Sequence, residues 1–491
     1  MLFHFYLKII VGLIFFCLPS RLIFATTFSD AWQSLETTYF HIRLEPTPYP
    51  QAISLREWGT MLEQLPQQWD AKLASLFGEQ RISDFSLTSA SKPRVLICGN
   101  RRSYLTLAAE YGLTPQNTAV WNSGGFYHRK SNIILTYRQP TDYYARHVVF
   151  HEASHWYCAR LLGSRYEKLP HWLCEGLADF CAFHVWNGKT LRATRLPRVS
   201  LENYPLRLAE ILKIRQNAER TNQNDISPKT IAEEFERLQS QNDGDASAVP
   251  HDIYSLAWGL TAFLIEQFPD ETRRFFLNLK RQDFEESWRL AFSSSKIEWN
   301  PQFSEWANAQ QLEWEWIWNL WEDDGESLIA VSDTTALIVQ NTKAFRQLLP
   351  LRFEASPLLS GTMIGVVFHY EDNKTFEMLQ FRNAATPDAA WRRVQFIDDQ
   401  WKTLTNWRIL NQEKTKDVSK KDSLKIEIQS QPTANGKLHY RVFADNLPIF
   451  AFDNETKKEN KKLCLGIAVQ TGAANIRYSY GGRTPSANGG F

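Results

Sequence analysis

Residues 147–157 read His147-Val148-Val149-Phe150-His151-Glu152-Ala153-Ser154-His155-Trp156-Tyr157 and hold the pattern His-Glu-x-x-His in a segment with helical spacing. On a helix, positions i and i+4 share one face, so His151 and His155 present two imidazole nitrogens to a single ion, at about 2.0–2.1 Å each in a zinc site. Glu152 then projects beside the ion, where a carboxylate accepts a proton from a metal-bound water. With 11 His and 54 acidic residues in 491, the pattern is expected by chance at most about 0.03 times.

A catalytic zinc takes three protein ligands and keeps one position open. The third is offered by Pro170-His171-Trp172-Leu173-Cys174-Glu175-Gly176-Leu177-Ala178-Asp179-Phe180, in which Glu175 follows His155 by twenty residues. That separation finishes one helix, turns, and starts a second against it. Asp179 lies one turn beyond Glu175 on the same face, placed to accept a hydrogen bond from the outer nitrogen of a liganding histidine. His147, His171 and His184 read as outer-sphere or surface residues.

His-Glu-x-x-His, nineteen intervening residues and Glu-x-x-x-Asp together resemble the gluzincin metallopeptidases of the thermolysin-like clan, and the Trp-Leu-x-Glu-Gly-Leu-Ala wording is similar to its peptidase MA-like members. The resemblance implies Zn2+ held by His151, His155 and Glu175, Glu152 as general base and Asp179 as the orienting residue behind the ligands. It also implies a small mixed sheet before the motif helix, with residues 126–137 at the edge that binds the substrate main chain. A Tyr or His from a later helix would donate to the oxyanion; His251 and Tyr254 are in place, and Tyr254 is favoured. A metzincin is excluded, because Cys158 stands where that pattern needs Gly and Leu161 where it needs a third His.

Around the motif, residues 26–140 mix strand and helix signals, with strand-like runs at 39–44, 93–98 and 132–137. Residues 141–324 read as helical, with a polar excursion at 216–250 and a closing group of Trp306, Trp314, Trp316, Trp318 and Trp321. Beyond Asp323-Asp324-Gly325 the period changes to two. Strand-like runs at 362–370, 375–382, 391–397, 423–429, 437–444, 448–452, 463–471 and 475–480 predict an antiparallel sandwich over 325–482, followed by a frayed tail at 483–491. The run Gly361-Thr362-Met363-Ile364-Gly365-Val366-Val367-Phe368-His369-Tyr370 and the late Gly466-Ile467-Ala468-Val469 resemble concanavalin-A-like, laminin-G-like jelly rolls. That resemblance implies glycan or protein binding. The expected fold class is therefore multidomain α+β: a zincin-like mixed sheet plus helical catalytic domain, then an all-β jelly-roll sandwich.

Composition bounds the partners. Lys+Arg is 55 against 54 Asp+Glu, a net charge of +1, so there is no basic field for a phosphate backbone and no nucleic-acid partner is expected. Lys8, the apolar run 9–18 and a small residue at Ala25 have the layout of a signal peptide over 1–25. The run is too short to span a bilayer. The mature chain is expected to be secreted or periplasmic, or held by an N-terminal anchor if the signal is uncleaved. Five cysteines then remain, Cys98, Cys158, Cys174, Cys181 and Cys464, with no Cys-x-x-Cys pair. Asn373 and Asn454 begin glycosylation sequons. The expected function is an exported zinc metallopeptidase acting on protein or peptide. Two rivals fit the same residues: a carbohydrate- or protein-binding protein whose zincin-like domain is structural or inactive, and a zinc hydrolase of a non-peptide amide such as a cell-wall component.

Overall fold

The computed structural model describes residues 32–47, 53–88, 91–113, 123–199, 204–217, 251–293, 299–310, 314–318, 320–340, 351–358, 361–372, 375–382, 389–410, 423–432, 438–453 and 465–480. The signal segment, most of the excursion at 216–250, both sequon asparagines and the tail lie outside the described residues. The chain is mixed α+β and carries a large antiparallel sandwich. Among the described residues no helix is long and apolar enough to cross a membrane.

The first part is a five-stranded sheet in the order β1-β2-β3-β5-β4, formed by Gln33–Glu36, His41–Leu44, Arg94–Cys98, Ile133–Tyr137 and Gly125–His128 respectively. β2, β3 and β5 run parallel, while β1 and β4 are antiparallel edges. A parallel strand is covered on both faces, and alternate residues here enter two cores. Val95, Ile97 and Ile134 pack with helix α1 (Leu55–Leu73) and helix α3 (Asp142–Leu162), whereas Leu96, Cys98, Ile133 and Leu135 pack with α2 (Arg101–Glu110).

α3 carries the His-Glu-x-x-His pattern. Thr141 caps it, its Oγ1 accepting from the Tyr144 N–H at 3.0 Å, and Gly163 ends it at φ +66°, a value that favours glycine. Val149, Phe150, Ala153, Trp156 and Tyr157 are buried, leaving the two motif histidines half-buried on the other side. α4 (His171–Ala182) starts after Pro170 and packs against α3. On its far side runs α6 (His251–Gln267), so close that a Cβ on Gly176 would lie 2.3 Å from the Ala257 carbonyl oxygen. Only glycine fits beside Glu175. A short hairpin, β6 (His184–Trp186) with β7 (Leu191–Ala193), and helices α5 (Tyr204–Asn217), α7 (Pro269–Leu279), α8 (Phe284–Phe292) and α9 (Trp299–Ala309) complete this part.

The tryptophan-rich segment departs from expectation. Trp314–Trp318 and Leu320–Asp323 are strands β8 and β9, both antiparallel to β10 (Leu328–Gln340), so the all-β part begins about ten residues before 325. Trp314, Trp316 and Trp318 alternate with period two, and reading them as the close of a helical region misassigned that period. β10 and β20 (Gly466–Tyr480) pair along most of their length. The first half of β20 pairs with β12 (Met363–Asp372) and its second half with β11 (Leu351–Pro357), so these strands run through both layers. One layer continues through β13 (Thr375–Arg382), β14 (Ala390–Ile397), β15 (Gln400–Thr403) and β16 (Arg408–Ile409). The other continues through β17 (Leu424–Pro432), β18 (Leu438–Ala444) and β19 (Leu447–Asp453). Ile364, Val366, Leu379 and Phe381 of the first layer meet Phe353, Ile426, Tyr440 and Val442 of the second in one core.

Two arginines fasten the parts together. Arg198 holds Asp323 with its backbone N–H at 2.7 Å and its guanidinium at 2.6–3.1 Å, and Arg146, buried in α3, pairs with Glu322. His184, fully buried, accepts from Arg146 Nε at 3.1 Å and donates from Nδ1 to the Ala182 carbonyl at 2.8 Å. Burial holds its pKa well below the usual range, so the ring is neutral.

Candidate metal centre

α3 and α4 bring His151, His155 and Glu175 together: one ligand atom from each lies within 4.8 Å of the other two. His151 Nε2 is 3.2 Å from Glu175 Oε2, and His155 Nε2 is 3.8 Å from Glu175 Oε1. The outer nitrogens are occupied elsewhere. His151 Nδ1 donates to Asp179 Oδ1 at 2.8 Å, and His155 Nδ1 is 2.6 Å from the Tyr166 hydroxyl. Both rings are thus turned with Nε2 inward, the orientation that an outer partner imposes on a ligand histidine. A second grouping, His147, His151 and Asp179, also converges, but it lies behind the first and shares His151 with it. His147 Nε2 is 3.6 Å from Asp179 Oδ1, and both residues are buried. His171 is 44 % exposed at the start of α4, with Nε2 3.7 Å from Glu175 Oε1.

Glu152 is half-buried, with the main chain of Tyr127 on β4, the edge strand of the sheet, near enough to favour its ionised form. The edge expected along 126–137 therefore runs beside the carboxylate. Burial lifts Glu152 to about 7, against the pull of His151 and with the push of Glu175. Burial alone would raise Glu175 too, but the imidazoles of His155 and His151 hold it at about 2. Burial drives His155 down to about 4 and opposes charge on His151 as well, yet Asp179 and Glu175 keep His151 well above its ordinary value. Tyr254, on α6, is half-buried; burial raises its phenol well above the usual range, and the nearby Glu175, Asp179 and Glu152 add to the shift. The side chain of His251 lies outside the described residues.

The donor set can be tested against a divalent ion of zinc's type. Three acids, Glu152, Glu175 and Asp179, share one pocket, and the groups that act most strongly to keep them ionised are histidines, which are neutral when they serve as ligands. Among the described residues Asp179 Oδ2 is buried with no hydrogen-bond partner. Such an excess of acid is costly without a cation, and two imidazole nitrogens with one carboxylate is a set that zinc takes. The residues fit. Two contributors carry no signal in the sequence: Tyr166, in the short 3₁₀ helix Gly163–Lys168, and the main chain of Tyr127. Cys158, Cys174 and Cys181 are free thiols on the two ligand helices, raised by burial.

Residues 146–285 match a family described as a protein of unknown function (DUF1570). No curated protein matches the chain. Among solved structures, a carbohydrate-binding module from Bacillus subtilis is 11 % identical over 34 % of this chain and 95 % of its own, with a TM-score of 0.23. A legume lectin-like domain from Entamoeba histolytica is 10 % identical over 34 % of this chain and 89 % of its own, also at 0.23. A xylan beta-1,4-xylosidase from Bacillus halodurans is 14 % identical over 31 % of this chain and 32 % of its own, at 0.21.

Proposed function

We propose that the chain is a zinc-dependent peptidase of the gluzincin type, with the ion held by His151, His155 and Glu175. The observation that carries the reading is the convergence of those three donors, with both imidazoles turned inward by Asp179 and Tyr166. When bound, zinc would polarise the scissile carbonyl and acidify a water. Glu152, beside the Tyr127 main chain, takes a proton from the attacking water and returns it to the leaving nitrogen. Among the described residues the outer edge of β4 is unpaired, and it offers main-chain donors and acceptors to an extended peptide, the mode of recognition that an open sheet edge supports. Tyr254 is the donor assigned to the developing oxyanion.

The test uses the full-length, zinc-loaded protein, a diverse peptide mixture and mass-spectrometric mapping of cut sites. Wild type should cut, and Glu152→Gln should keep its metal while losing at least about a hundredfold in rate. A wild type that holds zinc and cuts nothing, or a Glu152→Gln variant that cuts as well as wild type, would overturn the reading. The first result favours the alternative in which the sandwich binds glycan or protein and the zincin-like part is structural, and cleavage of a non-peptide amide alone favours the other rival.

A further inference from the structure

The face of β13, β14 and β16 turned away from the sandwich core carries a pair of arginines at the Arg382 end of the strand. Arg382 on β13 is paired across the ladder with Ala390, two residues before Arg392 on β14, and Gln380 is paired with Arg392, so the two arginines share a face. Each guanidinium carbon lies 4.5 Å from the centroid of the Trp407 ring. Among the described residues neither arginine has a carboxylate partner. That is not the local habit: Arg393, on the opposite face of the same strand, binds Glu377, and Arg352 binds Glu427.

Arg392 is held from behind. Its Nε donates to Gln380 Oε1 at 2.5 Å, the Gln380 amide donates to Gln470 Oε1, and Gln470 Nε2 donates to Thr335 Oγ1 at 3.2 Å. Gln380 and Gln470 are buried, so this row of amides is a rigid support that engages Nε of the guanidinium; among the described residues its two terminal nitrogens have no hydrogen-bond partner. Burial, then the charge of Arg382, lower the pKa of Arg392, as expected of two cations kept together. Ile409, paired with Ala390 beside the arginines, is 52 % exposed, whereas further along the same face Met378, Val394 and Phe396 are buried.

We propose that this face binds an acidic sugar polymer, with a ring carboxylate engaged by Arg382 and Arg392 beside Trp407 and the apolar side of a neighbouring sugar ring lying on Ile409. The proposal is independent of the peptidase reading. A guanidinium fork matches a planar carboxylate through two parallel hydrogen bonds. A sugar acid also brings a flat C–H face of the kind that exposed aromatic and aliphatic side chains receive. Nucleic acid fits less well, because holding a phosphate backbone takes many cations in a row and the net charge of the whole chain is +1.

The experiment is calorimetric titration of the full-length protein with polygalacturonate, alongside neutral dextran, dextran sulfate and a single-stranded oligonucleotide. Wild type should bind polygalacturonate, and more weakly as salt is raised. Arg382→Gln and Arg392→Gln should each lose about tenfold or more in affinity, the scale of one charge-assisted pair of hydrogen bonds. Lys402→Gln, paired with Gln395 on the opposite face, should bind as wild type does. If Arg392→Gln loses its thermal transition, Arg382→Gln decides, because Arg382 has no hydrogen bond to the amide row. Absence of polygalacturonate binding in wild type, retained affinity in the arginine variants, or equal affinity for dextran sulfate or the oligonucleotide overturns the proposal.

Discussion

Replacing Gly176 with alanine sets two effects of opposite sign against each other. Alanine in a helix interior is favoured over glycine by about 1 kcal/mol. Against this, the new methyl group would stand 2.2 Å from Thr261 Oγ1, 2.3 Å from the Ala257 carbonyl oxygen and 2.8 Å from the Ala257 carbonyl carbon. The Thr261 hydroxyl can rotate away; the main chain of α6 cannot. Normal contact of about 3.5 Å requires α4 and α6 to separate by roughly 1 Å. Overpacking of this kind costs about 1–3 kcal/mol, and a backbone clash lies at the upper end, so the net loss is expected to be about 1–2 kcal/mol. Gly259→Ala is the control: its methyl would meet Leu208 Cδ2 at 2.6 Å, the tip of a flexible side chain, and should cost less. Because Glu175 is the residue before Gly176, the shift also exceeds the roughly 0.5 Å tolerance of a ligand site, and zinc affinity should fall by about tenfold or more. Urea unfolding of the metal-free protein measures the first effect, and chelator competition the second. A Gly176→Ala protein as stable as wild type, with unchanged zinc affinity, would refute the reasoning.

Asp179→Ala should weaken zinc binding by about 10–100-fold through loss of the partner on His151, and Tyr166→Phe should act in the same direction through His155; chelator competition reads both. Asp70 gives a pH dependence remote from the metal. It accepts from Tyr157 Oη at 2.9 Å and the Ile82 N–H at 3.0 Å, but burial holds its carboxyl above the usual range. The folded state therefore binds this proton more tightly than the unfolded chain. Ionised Asp70 costs stability above its folded pKa, and the cost is relieved as pH falls through that value. The stability of Asp70→Asn relative to wild type should accordingly improve between about pH 4 and about pH 7, measured by urea unfolding; no change, or the opposite trend, contradicts it.

The chemistry was legible where it sits on regular spacing. His151 and His155 share a helix face because of their i, i+4 separation, and Asp179 reaches His151 because it lies one turn beyond Glu175. The strands at β3 and β5 stand out as apolar runs, since parallel strands are covered on both sides. What stayed hidden depends on tertiary approach. Tyr166 meets His155 from a short 3₁₀ helix, and Gly176 is explained only by the passage of α6. β10 and β11 were not singled out, and the Trp314–Trp318 alternation was absorbed into the helices before it, because a short aromatic run does not declare its period until its partner strand is known. The arginine pair on the sandwich is equally silent in the sequence: Arg382 and Arg392 are ten residues apart and become neighbours only through the register of β13 and β14.

The most direct test is the zinc content of the intact protein after dialysis against low-micromolar free zinc, measured by elemental mass spectrometry beside His151→Ala and Glu175→Ala. One ion per chain is expected in wild type, with much less in either variant while both keep a cooperative thermal transition. A folded wild-type chain without zinc, or full zinc retained in Glu175→Ala, would contradict a centre shared by α3 and α4.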